Sequence, residues 1–223
     1  MKSANFKSLI AKIKMLHFLF YILPLVFLVS GCAAFQVGGE IQAGRRALRY
    51  GDPKIALAHF EQAARIDPNY IAAYTGLREG VWTYVGRAHY TLGKLPDARQ
   101  ALERARRHED DNLAKLYLGL VFARDGDRDR GRREIEAGLR GLGAWLDYID
   151  QNLEDGKYWD PARKIQGEIQ RGLAMISGRE INWPELIASG EWLGLELETE
   201  IDLAKRDKLQ DQRDGDKDSD GMP

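Results

Sequence analysis

The chain holds a single cysteine, Cys32, so no disulfide within it is available to staple a fold. Beyond residue 31 it keeps only three histidines (His59, His89, His108) and three serines (Ser177, Ser189, Ser219). No His or Cys pair has zinc-ligand spacing, no Gly-rich phosphate loop follows a strand, and no G-x-S-x-G is present. With no constellation to carry catalysis, a metal or a cofactor, the chain reads as a non-enzyme. Acidic residues are missing from the first 31 positions, where Lys2, Lys7, Lys12 and Lys14 precede an apolar run from Met15 to Val29. Pro24 interrupts that run, which is shorter than the roughly 20 apolar residues of a spanning helix, and Ser30 and Gly31 follow it. A positive start, a short apolar core and small residues before a cut site predict a secretory signal over 1–31. Its removal leaves 29 basic against 34 acidic residues, a formal charge of −5 that argues against a general nucleic-acid binder.

The residues Leu28-Val29-Ser30-Gly31-Cys32 resemble the lipobox of bacterial lipoproteins, with Val29 in place of the commoner leucine. The resemblance implies an acylated Cys32 as the new N-terminus and attachment to a membrane through its lipid. Asp directly after the cysteine tends to hold lipoproteins of Gram-negative cells in the inner membrane. Here Ala33 follows, which implies the outer membrane, facing the periplasm.

What is abundant is helical periodicity. In the stretch from Trp82 to Ala105, Trp82, Val85, Gly86 and His89 share one helix face, Gly93 breaks the helix, and Ala98, Leu102 and Ala105 share the face of a second. Small residues at Gly86 and Ala98 let the two backbones approach closely. This stretch resembles one tetratricopeptide (TPR) repeat, a two-helix unit of 34 residues. A first copy has Gly44, Gly51, Ala56, Phe60 and Ala63, and a third has Gly119, Gly126, Gly131, Ile135 and Gly138. The intervals from Gly44 to Gly86 and from Gly86 to Gly119 are unequal, so the array is irregular. Its longer interval is assigned to a helix that starts near Tyr74 and protrudes from the stack.

The expected architecture is all-α, a short irregular TPR-like solenoid over 37–145 (units 37–70, 71–111 and 112–145). A degenerate fourth unit and capping helices follow over 146–205. In that region Trp145 and Tyr148 are placed on a new helix, Gly156 in a turn, and Asp160-Pro161 at the start of the next helix. Ile165, Ile169, Leu173 and Ile176 form its stripe, Pro184 and Leu186 open a short helix ending at Gly190, and Leu193, Leu197 and Ile201 mark a final cap. The charged stretch 206–223 reads as a disordered tail. Its Asp216, Asp218, Asp220 and Gly221 match the start of a calcium loop, but the bidentate Glu due six residues later is missing.

Stacked TPR units offer the inner face of their first helices as a groove, and the resemblance points Arg45, Arg49, Tyr84, Arg87, Tyr90, Tyr117 and Arg124 toward it. Arginine brings a five-donor fork and tyrosine a rigid contact, which suit a protein partner, a peptide or subunit of an envelope or secretion complex. The Lys and Asn set with which some TPR proteins hold chaperone tails is missing. His89 is expected to pack between the helices of its unit, and Asp110 and Asp111 to lie solvated in a turn. Trp145, Trp159, Trp183 and Trp192 leave two alternatives open: core pieces, or a cleft that stacks cell-wall glycan.

Overall fold

The computed structural model describes residues 34–108 and 110–220. The signal segment 1–31 and Cys32 lie outside the described residues, and the calcium-loop-like end from Asp216 to Gly221 lies outside the described side chains. Among the described residues no helix is long and apolar enough to cross a membrane.

The first unit pairs α1 (34–49) with α2 (Pro53–Ile66). Gly51 takes a positive φ of 79° at the bend, and Asp52 then caps α2 by accepting the Ile55 N–H, ahead of a proline at the first helical position. The second unit is α3 (Val81–Thr91) with α4 (Leu95–Ala105), and the third is α5 (Asn112–Asp125) with α6 (Arg128–Asn152). One contact recurs sixteen residues apart in each unit: Gly44 lies under the Phe60 ring, Gly86 under Leu102, and Gly119 against Ile135. A Cβ at Gly119 would come within 2.5 Å of the Ile135 backbone nitrogen, so the two helices touch through backbone. The third unit extends this, since Gly131 and Gly138 are in the same way close against Ala123 and Leu116 backbone. Its glycines are what lets α6 lie on α5.

Four sequence expectations are corrected. The extra residues between the first two units form a hairpin, β1 (Ile71–Tyr74) paired antiparallel with β2 (Leu77–Gly80), and no protruding helix. Thr75 and Gly76, both at positive φ, make its two-residue turn, and the Trp145 indole donates to the Thr75 carbonyl. The fourth unit does not open a new helix at Trp145, because α6 runs unbroken from Arg128 to Asn152. A 3₁₀ turn (Glu154–Tyr158) follows, and α7 (Lys164–Ser177) begins three residues after Pro161; the Asp160 carboxylate still caps it, accepting the Ile165 and Gln166 N–H groups. Finally, the short helix, the separate cap and most of the disordered tail are one helix, α8 (Trp183–Asp220). Gly190 and Gly194 do not break it, since each is pressed against a side chain of α5, Leu120 and Tyr117 respectively.

The core centres on α5, whose Leu113, Leu116, Leu118, Leu120 and Phe122 are buried on every side. Trp145 and Trp159 pack edge to face inside the protein, ring centres 4.9 Å apart, so these two are core pieces. Trp183 is half-buried with Arg128 over its ring, and Trp192 is exposed.

Candidate functional site: the inner face and the helix that fills it

The first helices α1, α3 and α5 present one face together, and all seven residues read from the sequence as groove-lining lie along it. That face is covered and is not an open groove. α8 crosses it, meeting α5 at Gly190, α3 at Gly194, and α1 at Glu198 and Asp202. Arg45, Tyr84, Arg87, Tyr90 and Tyr117 are therefore buried and not free to touch a partner, which corrects their expected exposure.

The covering is chemically specific. Arg87 Nη1 donates to Glu79 Oε2 at 3.0 Å and to Glu198 Oε1, while Nη2 donates to the Gly194 carbonyl at 2.8 Å. Arg45 Nε donates to the other Glu198 oxygen, and its Nη2 reaches the Glu198 carbonyl at 3.0 Å. Glu198 thus sits between two guanidiniums, one from each of the first two units. Tyr74 and Tyr117 rings close the sides, 5.0 Å from Arg45 and 5.1 Å from Arg87. At the rim, Arg49 pairs with Asp202 at 2.9 Å, and Tyr90 donates to Glu191 at 2.6 Å beside Arg124.

Burial opposes every charge here. It would raise the Glu198 carboxyl, but Arg87 and Arg45 together outweigh it and hold the group below its usual range, as a carboxylate. Glu79 has one guanidinium to share, and burial, then the charge of Glu198, pushes it up to about 8. Its Oε1 has no hydrogen-bond partner among the described residues. The cluster therefore holds two cations, one firm anion and one carboxyl kept largely protonated at neutral pH.

Asp111 is another correction. It is buried at 1% exposure and ties two units together: Oδ1 caps α5 through the Ala114 N–H, and Oδ2 accepts the Gly80 N–H and the Thr83 hydroxyl. His89 is only half-buried, and it lines a furrow between units in addition to meeting its own unit's second helix. Among the described residues no group of three His, Cys, Asp or Glu side chains is placed to hold a metal ion.

Comparison with protein families matches residues 47–120 to the tetratricopeptide repeat. Comparison with curated proteins and with solved structures gives no match. The matched residues run from the end of α1 to the middle of α5, and so take in the second unit whole, from its Gly86–Leu102 contact to the N-terminus of the third. That segment, about a third of the sequence, is similar to the tetratricopeptide repeat, a module whose general work is binding other proteins.

Proposed function

We propose that this chain is a non-enzymatic scaffold of the bacterial envelope, anchored by lipid on Cys32 to the periplasmic side of the outer membrane, that holds a protein partner. The lipobox-like sequence supports the anchor, and the several acyl chains of a bacterial lipoprotein make such attachment effectively permanent. Residue 34, two residues after Cys32, is already helical, so the anchor keeps the repeat body within about 10 Å of the bilayer surface.

The observation that carries the partner reading is the finished inner face. With α8 in place, Trp192 and Leu195 stand outward one turn apart, 38% and 46% exposed, and Glu191, which precedes Trp192 in sequence, pairs with Arg124. A large aromatic next to an aliphatic, ringed by charge, is the composition of an interaction hot spot. The buried groove residues Arg45, Tyr84, Arg87, Tyr90 and Tyr117 act from beneath, by fixing the helix that displays this patch. Arg49 and Arg124, the two groove arginines left partly exposed, are already paired with Asp202 and Glu191, so they do not by themselves call for an acidic partner.

The test is a photo-crosslinking residue at Leu195 in intact cells, compared with one at exposed Lys54 on α2. One discrete protein adduct at 195, surviving muramidase digestion and lost in Trp192→Ala, supports the scaffold. An adduct that vanishes with digestion replaces it with a wall-glycan binder.

A further inference from the structure

The face of α3 turned away from α8 carries Trp82, Val85 and His89, half a turn from Tyr84 and Arg87. Together with α2 and α4 it lines an open furrow of about 410 Å³. Its floor is apolar, from Ala64, Val85 and Ala101. Its two ends have opposite charge.

At one end Glu61 of α2 and Asp97 of α4 flank His89, and the imidazole feels both carboxylates and, opposing them, the Lys94 ammonium. Burial is the larger influence and holds His89 below its ordinary pKa, so the ring is neutral at neutral pH. Its Nδ1 is buried without a hydrogen-bond partner among the described residues. At the other end stand Arg65 of α2 and Arg104 of α4. The two ends do not neutralise each other: Arg65 donates to Gln62 on its own helix, and Arg104 lies 4.7 Å over the Trp82 ring.

The acidic end is not spaced for a metal ion, since no three such ligands converge. An ammonium group needs no such convergence and can pair with either carboxylate. Arg65 follows Glu61 by four residues and Arg104 follows Asp97 by seven, so acid and base are about 6 to 10 Å apart along the helices at ~1.5 Å per residue. In an extended chain, side chains two residues apart point the same way and stand roughly 7 Å apart.

We propose that this furrow is a docking site for an extended peptide segment with a basic and an acidic side chain two residues apart, its ammonium between Glu61 and Asp97 and its carboxylate on Arg65 and Arg104. The peptide backbone lies over the apolar floor. The site is on the far side of α3 from the α8 surface, and it does not depend on the anchor or on the patch at Trp192.

The experiment titrates the purified mature chain with acetyl-Ala-Lys-Ala-Glu-Ala-amide, by calorimetry and by NMR of the His89 ring. Binding with a shift of the His89 resonances is expected. Glu61→Gln with Asp97→Asn should weaken it by about tenfold or more, and replacing the peptide's lysine by glutamine should do the same. Both carboxylates are exposed, so the double variant should melt as the wild type does. No binding at millimolar peptide, equal affinity for the glutamine peptide, or unchanged affinity in the double variant overturns the proposal. Equal affinity for acetyl-Ala-Lys-Ala-Ala-Ala-amide also overturns it, because the arginine end would then do nothing. None of these results affects the crosslink at 195, so the two readings fail separately.

Discussion

Replacing Arg87 by leucine is the sharpest test of how α8 is held. The side chain is fully buried and carries three interactions that nothing nearby can take over, to Glu79, to Glu198 and to the Gly194 carbonyl. Leucine fills much of the volume but strands two carboxyl groups and a carbonyl away from water. Removing one partner of a buried ion pair costs about 3 to 5 kcal/mol, chiefly because the other charge stays buried. Glu198 keeps Arg45, which argues for the lower half of that range. Arg124→Leu is the matched control, an arginine on the same face, 3.7 Å from Glu191 and largely in solvent. Exposed pairs are worth about 0 to 1 kcal/mol. Urea unfolding of the mature chain, at a slope of about 2 kcal/mol per molar, should place the Arg87→Leu midpoint about 1.5 to 2 M below wild type and that of Arg124→Leu within ~0.5 M of it. Adding Glu79→Gln to Arg87→Leu should restore part of the loss, whereas adding Glu198→Leu should deepen it, because buried Arg45 then loses its carboxylate. Equal midpoints for Arg87→Leu and Arg124→Leu would refute the clamp.

Three further outcomes are expected. Glu79 has its folded pKa raised, so the stability it contributes is present below pH 4.5 and is lost as pH rises through about 8. Melting of wild type should therefore decline from pH 5 to pH 8, and Glu79→Gln should flatten that decline; parallel profiles would count against it. Gly138→Ala should destabilise by about 1 to 3 kcal/mol despite its better helix propensity, because the new Cβ would meet Leu116 backbone at 2.6 Å. Gly167→Ala, with open space around it, should instead stabilise by roughly 0.5 to 1 kcal/mol, and thermal melts showing one sign for both would undo the close-contact account. Cys32→Ser should abolish labelling by a palmitate analogue and accumulate the unprocessed precursor, whereas normal labelling would remove the lipid anchor from the proposed function.

Periodicity made the repeat units legible. The Gly86–Ala98–Leu102 contact, the helix pairs and the face to which Arg45, Arg87 and Tyr117 point were all readable, because they depend on neighbours within about twenty residues. What lay across that face was not. Glu198 meets Arg45 over a separation of 153 residues, which no local pattern encodes. One signal is present: Glu198 follows Gly190 and Gly194 at four-residue steps on the inward, otherwise apolar face of a charged helix, where a lone acid needs a buried cation. Gly190 reads as the end of a short helix because a glycine that admits a neighbouring side chain looks, in sequence, like one that ends a helix. The hairpin was hidden for a similar reason. Its Thr75-Gly76 turn was visible, but Tyr74 just before it fitted the first large position of the next repeat.

The crossing of α8 also changes how the chain must come together. In an ordinary repeat array every contact is between neighbours, so units can form or fray one at a time. Here Arg45 near one end and Arg87 in the middle both wait for Glu198, which is made last. Contacts of such long sequence separation slow folding and bind the units into one cooperative transition. Until residues beyond 182 are present, Arg87 has only Glu79 as a carboxyl partner and Arg45 lacks both Glu198 and Asp202. The molecule is thus vulnerable to aggregation or to proteolysis in the interval between the completion of its repeats and the arrival of α8.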